Sequence, residues 1–146
     1  MPNVKVLAGG LKAWGARATD SEEVFNDDKN LEVNFDPSTL VYYDEILKLI
    51  DSEAQIVDGR PASAFQQGNL PGSKHLAADS FLTTDNLIKT RDQIRLTFTE
   101  AGIDCDKPIV VSCRSGMLAS LMYLAANEAE MSVRLYDGSY SEFSAK

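Results

Sequence analysis

The sequence predicts an α/β fold, a mostly parallel sheet with helices on both faces. Short, mostly apolar runs at 54–57 (AQIV), 109–112 (IVVS) and 133–136 (VRLY) read as buried strands. Segments with helical spacing stand between them, at 43–50, 90–101 and 117–127. Strands that alternate with helices build a parallel sheet covered on both sides.

Taken in order, residues 4–7 (VKVL) read as a short strand stopped by Gly9-Gly10, and 11–16 as one helical turn. Residues 17–36 are polar and acidic without a sustained period, the composition of a linker or extended arm, and Pro37 closes it. Tyr43, Ile46, Leu47 and Ile50 recur at helical spacing, which predicts an amphipathic helix over 43–50. The strand at 54–57 ends in Asp58, and 68–74 (GNLPGSK) is rich in turn formers. Thr90 with Gln93 fits a capping box. The helix it opens turns Ile94, Phe98 and Ala101 inward and stops at Gly102, a natural C-terminal cap. Pro108 sets off the clearest strand, 109–112, and 117–127 (MLASLMYLAAN) is a mostly apolar helix expected to be buried. The strand at 133–136 precedes a turn at Asp137-Gly138.

The chain has 146 residues, enough for one domain with its own core and no need of a metal or disulfide staple. Its net charge is -8 and its 14 Lys and Arg are scattered, which argues against nucleic acid as a partner. A small basic pocket for an anionic substrate is still compatible with that sum. Two cysteines, Cys105 and Cys113, are too few for a disulfide framework, so a reducing compartment is expected. No apolar run approaches the ~20 residues of a membrane span. MPNVKVLAGG has no apolar signal core, so a cytoplasmic location is expected, or a mitochondrial one if a targeting segment lies outside this chain.

The chemistry concentrates at Cys113-Arg114-Ser115-Gly116, between a buried strand and an apolar helix. Such a loop lies at the carboxyl end of a sheet strand, where open α/β sheets form their ligand crevices. The first N–H groups of the following helix, with its dipole, favour an anion there. That setting favours the thiolate of Cys113. Arg114 adds a fixed positive charge, and Gly116 lets the loop curl through positive φ. The alternative for Cys113 is a small buried packing residue. Cys105, in GIDCDKP, lacks the setting and is read as structural.

CRSGMLA after an apolar strand resembles the active-site loop of rhodaneses and mercaptopyruvate sulfurtransferases. Val57-Asp58-Gly59-Arg60 resembles the D-x-R of that family, GNLPGSKHL (68–76) its G-H-I-P-G segment, and LYDGSYSEF (135–143) its closing Y-D-G-S-W-x-E-W. The resemblance covers residues 38–146. Residues 4–15 (VKVLAGGLKAWG) resemble the end of another rhodanese domain. It thus implies a remnant of a preceding domain over 1–16, a linker over 17–37 and a rhodanese domain over 38–146. The implied fold is a rhodanese-like, mostly parallel five-stranded sheet.

The implied activity is ping-pong sulfur transfer through a Cys113 persulfide. The donor is a small anion, 3-mercaptopyruvate or thiosulfate; the acceptor is cyanide or a thiol such as thioredoxin or glutathione. Neither a cofactor nor a metal is implied. Cys113 is the nucleophile, and the amides of Arg114, Ser115, Gly116, Met117 and Leu118 form the substrate-binding cradle. Asp58 gives structural support. Arg60 either holds the loop through a salt bridge or binds the donor anion. Ser115 matches the mercaptopyruvate type and Arg114 the thiosulfate type. His75, where the family has asparagine, reads as a packed strand-end residue.

Three departures bear on donor binding. The family's arginine-bearing insertion after D-x-R is absent, Asn69 replaces a histidine, and most of a first domain is not in this chain. A binding or regulatory module without strong activity is therefore the competing expectation. A phosphatase of related fold needs arginine at position 119, which is Ala119.

Overall fold

The computed structural model describes residues 5–15 and 34–146. The strands are β1 (Leu40–Val41), β2 (Gln55–Asp58), β3 (Lys74–His75), β4 (Ile109–Ser112) and β5 (Val133–Tyr136). The helices are α1 (Gly10–Trp14), α2 (Tyr43–Ile50), α3 (Ala62–Gln66), α4 (Arg91–Glu100), α5 (Met117–Glu128) and α6 (Ser139–Ala145). The strands form one sheet in the order β1-β5-β4-β2-β3, and every pairing is parallel.

Strand alternation divides the core into two layers. Val57, Ile109, Val111 and Leu135 join Ile94 and Phe98 of α4 and Ala119, Met122, Ala125 and Ala126 of α5 on one face. Ile56, Val110 and Tyr136 join Ile46 of α2 on the other, with Tyr140 and Phe143 of α6 packed against them. Successive residues of a strand point to opposite faces, so each run supplies both layers, as a doubly covered sheet requires. Near-continuous apolarity is what betrayed β2, β4 and β5 in the sequence.

The capping box of α4 forms with both of its bonds, and Gly102 follows the helix at φ +74°. Ile94 and Phe98 are fully buried, whereas Ala101 is half-buried as the last capping residue. The expectation of a buried α5 holds for its inward face only: Met117 is 80% exposed at the loop end. Of residues 4–7, expected as a strand, 5–7 are not one; Val4 and Ala16 lie outside the described residues, as do 17–33 of the expected linker. Among the described residues no strand pairs with 5–7, and an unpaired run is not a strand. The one-turn helix that follows is present as α1. Val6, Leu7 and Leu11 of this segment are exposed, and with Leu87, Leu121 and Leu124 they line a groove of about 1030 Å³.

Arg134 of β5 ties the sheet edge to α2. Its guanidinium donates to both carboxylate oxygens of Glu45, at 2.5 and 2.9 Å, and to the carbonyls of Ser38 and Leu40. The bond from Arg134 holds the Glu45 carboxyl below its ordinary range. A lowered folded value means stability that is present above the unfolded value and lost as pH falls through the folded one. The pair is 33% and 40% exposed, so solvent limits it to under about 1 kcal/mol. Glu45→Gln should therefore lower the urea midpoint at neutral pH, and the two proteins should converge only as pH falls below the ordinary carboxylate range and Glu45 protonates in the folded state.

Core packing on the α4 face gives a larger effect. Phe81 and Phe98 pack as a tilted pair with centroids 4.6 Å apart, both fully buried. Phe98→Ala should cost about 3–5 kcal/mol in urea unfolding. Leu96→Ala, on the exposed side of the same helix, should change stability by less than about 0.5 kcal/mol.

Candidate active site

The carboxyl ends of β2, β4 and β5 lie side by side at the centre of the sheet. The helix after β4 packs on one face and the helix after β5 on the other. Chain ends that diverge to opposite faces leave a crevice between them. Cys113 follows β4 at that crevice. It lies in the loop and not in α5, as the sequence predicts.

The loop is held from behind by α6. Ser139 Oγ accepts hydrogen bonds from the N–H of Cys113 and of Gly116, both at 3.2 Å, and donates to the carbonyl of Tyr136 at 2.8 Å. Tyr140 N–H donates to the Cys113 carbonyl and Ser141 N–H to that of Arg114, each at 3.0 Å. Gly116 caps α5 at φ +85°. A Cβ there would stand 3.0 Å from Asp137 Oδ1 and 3.3 Å from the Asp137 carbonyl, so both conformation and space call for glycine.

Among the described residues, the N–H groups of Arg114, Ser115, Met117, Leu118 and Ala119 find no acceptor. Those of Met117, Leu118 and Ala119 are donors that a helix start leaves unpaired by construction; those of Arg114 and Ser115 belong to the loop before the Gly116 cap. Gly116, expected to contribute its amide to the cradle, spends it on Ser139. The side chains of Arg114, Ser115, Met117 and Leu118 are exposed around the loop.

Cys113 itself is 1% exposed and belongs to the apolar cluster of the α4–α5 face. Its sulfur takes no N–H hydrogen bond among the described residues, although the sequence led us to expect it facing several. The reason is local: the Cys113 and Gly116 amides turn toward Ser139, and the side chain follows Val111 into the same layer. Cys105 is half-buried, with its thiol donating to the Arg95 carbonyl at 3.4 Å.

Asp58 and Arg60 end β2 beside this loop, and β2 is joined to it by the Gly59 N–H bond to the Ser112 carbonyl. The Arg60 Nε and Nη2 donate to the Asp58 carboxylate at 2.7–3.1 Å, and Nη2 also reaches the Gly68 carbonyl at 2.6 Å. The guanidinium carbon lies 4.1 Å from the centroid of the Tyr140 ring. Both side chains are buried, Asp58 completely. A Cβ on Gly68 would collide with the Tyr140 hydroxyl, so this glycine makes room for the ring. His75 bonds the Arg60 carbonyl through Nε2 at 2.8 Å and packs on Phe65, a strand-end position as expected.

At the base of α6, burial above all, and then the bond to Glu142, push the Tyr136 phenol up. It stays protonated and donates to Glu142 Oε2 at 3.0 Å, anchoring the helix to β5.

The family model described as Rhodanese-like domain matches residues 42–146. The chain belongs to the rhodanese family. The match begins just after β1, spans the other four strands, and includes the loop, the Asp58–Arg60 pair and α6. The chain is 33% identical over 158 residues to a 3-mercaptopyruvate sulfurtransferase of Escherichia coli, covering 98% of this chain and 56% of that protein. It is 30% identical to a thiosulfate sulfurtransferase of Gallus gallus, covering 96% of this chain and 53% of that protein. The crystal structure of SseA from Escherichia coli, a 3-mercaptopyruvate sulfotransferase, superposes with a TM-score of 0.66 and 33% identity, covering 73% of this chain and 44% of SseA. The chain thus spans about half the length of the curated relatives it matches.

Sequence reasoning missed Ser139 and Tyr140 as parts of the site. Both stand in the closing LYDGSYSEF segment, but nothing in a serine beside a turn signals that it hydrogen-bonds a loop 23 residues earlier. Gly116→Ala should destabilise the domain by about 1–3 kcal/mol in urea unfolding, through its strained φ and the Asp137 contact. Ser115→Ala, its neighbour in the chain but exposed, should stay within about 0.5 kcal/mol of the parent.

Proposed function

We propose that this chain moves a sulfane sulfur from a small anionic donor, 3-mercaptopyruvate or thiosulfate, to a thiol acceptor or cyanide. Cys113 is the nucleophile. The observation that carries this reading is the loop after β4, which puts a cysteine in the same turn as five N–H groups, two of the loop and three of the helix start, that find no acceptor among the described residues. The sulfurtransferase names of its relatives support the same chemistry.

In the first half-reaction the Cys113 thiolate attacks the outer sulfur of the donor. An S–S bond forms, and the donor's bond to that sulfur breaks with its electron pair, leaving sulfite from thiosulfate or the enolate of pyruvate from mercaptopyruvate. The enolate then takes a proton. In the second, an acceptor thiolate attacks the outer sulfur and Cys113 leaves as thiolate, restoring the enzyme. The amides of Arg114, Ser115, Met117 and Leu118 stabilise the anionic sulfur in this scheme. The Arg114 side chain attracts the donor. Asp58 and Arg60 brace the crevice, and Arg60 serves that role rather than donor binding, because its guanidinium is committed to Asp58, Gly68 and Tyr140. Thioredoxin and glutathione are the thiol acceptors we assign.

Residues 1–16 are the tail of a preceding rhodanese domain in this reading, 17–37 a linker and 38–146 the catalytic domain. The exposed apolar residues of the 5–15 segment support a partner surface there. A first domain would complete the donor-binding wall, so sulfur transfer by this chain alone is slow, with a high KM.

A second reading, a binding or regulatory module, has the burial of Cys113 on its side, since buried cysteines without polar contacts are commonly inert. One experiment separates the two. Incubation with 3-mercaptopyruvate or thiosulfate should add roughly 32 Da to Cys113, as covalent catalysis requires. Cys113→Ser should abolish the adduct and Cys105→Ser should keep it. An unmodified Cys113 at saturating donor establishes the binding module instead.

A further inference from the structure

We propose that Ser139 is a positioning residue for the Cys113 loop: its hydroxyl fixes which loop N–H groups are left for an anionic sulfur. The proposal rests on the persulfide reading above.

Ser139 is fully buried and adopts φ +51°. Left-handed backbone is uncommon for a residue with a side chain, and it persists only where the surroundings over-determine it. Here they do. A hydroxyl has one donor and two acceptor sites. Ser139 uses all three: the donor on the Tyr136 carbonyl at the end of β5, and the acceptors on the N–H groups of Cys113 and Gly116. The side chain thus joins β5 to both ends of the loop after β4. The next two residues complete the grip, with Tyr140 and Ser141 N–H on the carbonyls of Cys113 and Arg114.

The consequence is a division of the loop's amides. Those of Cys113 and Gly116 are withdrawn; those of Arg114, Ser115, Met117, Leu118 and Ala119 are not. Without the hydroxyl, two buried N–H groups would lose their acceptor, and an unsatisfied buried donor drives rearrangement. The loop would turn to satisfy them, and the amides meant for the sulfur would turn with it. Ser139 touches neither donor nor reacting atoms in this scheme. It acts through the peptide planes on either side of Arg114 and Ser115.

Ser139→Ala and Ser139→Gly both remove the hydroxyl, but only glycine relieves the positive φ. Both should lower kcat for sulfur transfer about 10- to 100-fold, the scale of misplaced catalytic geometry. The KM for the donor should stay within about twofold, because donor binding is not what changes. Amide hydrogen exchange provides a readout independent of the variants' folding. In the parent chain the Cys113 and Gly116 amides should be protected and the Ser115 amide not; in the variants that protection should vanish. Free exchange at Cys113 and Gly116 in the parent overturns the proposal, whatever the variants do. So does a Ser139→Gly chain with the parent's kcat, which would trace the effect to strain, or a change confined to KM. If the parent transfers no sulfur, the persulfide reading fails and with it the role in positioning a sulfur site. Exchange protection that then persists would mark Ser139 as a purely structural clamp.

Discussion

One hydroxyl joins the ends of two neighbouring strands in this domain. Ser139 draws two N–H groups of the loop after β4 toward a carbonyl at the end of β5. Much of the site depends on that contact. The helices after these strands lie on opposite faces of the sheet, so the chain must diverge there, and divergence leaves polar backbone without a regular partner. Ser139 satisfies part of it, α6 satisfies two carbonyls, and the donors that remain cluster at the start of α5. A loop with N–H groups to spare is therefore what is left after the sheet has met its own hydrogen-bonding needs.

The second support comes from β2. Asp58 and Arg60 form a buried ion pair, and burying two charges costs free energy that only dense hydrogen bonding offsets. The pair has such bonding: three contacts within it, a fourth to Gly68, and the face of Tyr140 over the guanidinium. Tyr140 follows Ser139 in the chain, so the brace from β2 and the clamp from β5 meet on consecutive residues of α6. The net acidity of the chain says nothing about this arrangement, because its decisive cation is buried and already paired.

The fold was legible where apolar runs were long enough to show a period. β2, β4, β5, α2, α4 and α5 all fall within a residue or so of their expected places. β1 and β3 contain two residues each and carry no period to read, and α3 and α6 are short and rich in small residues. The 5–7 run has a strand's composition but, among the described residues, no neighbour to pair with. Composition signals a preference, while a ladder needs a partner. Within the candidate site, Cys113, Gly116 and the Asp58–Arg60 pair were legible because each sits at an abrupt change of pattern. Ser139 was not, since its importance lies in a contact across the sheet. The environment of the Cys113 sulfur was also beyond reach, because it depends on which way two amides turn.

The strand order has a consequence for how the molecule is made. β5 lies between β1 and β4, yet it is the last strand of the sheet to leave the ribosome. Until it emerges, β1 has no neighbour, and the pairing that admits it closes a loop of about 95 residues (Leu40 with Leu135). Such long-range closure is slow. During that interval α6 is absent too, and Cys113 belongs to a loop with no clamp behind it. The nascent chain therefore passes through a stage in which its thiol is already translated and its shelter is not. Oxidation during synthesis would act on that stage, before the finished domain has folded around the sulfur.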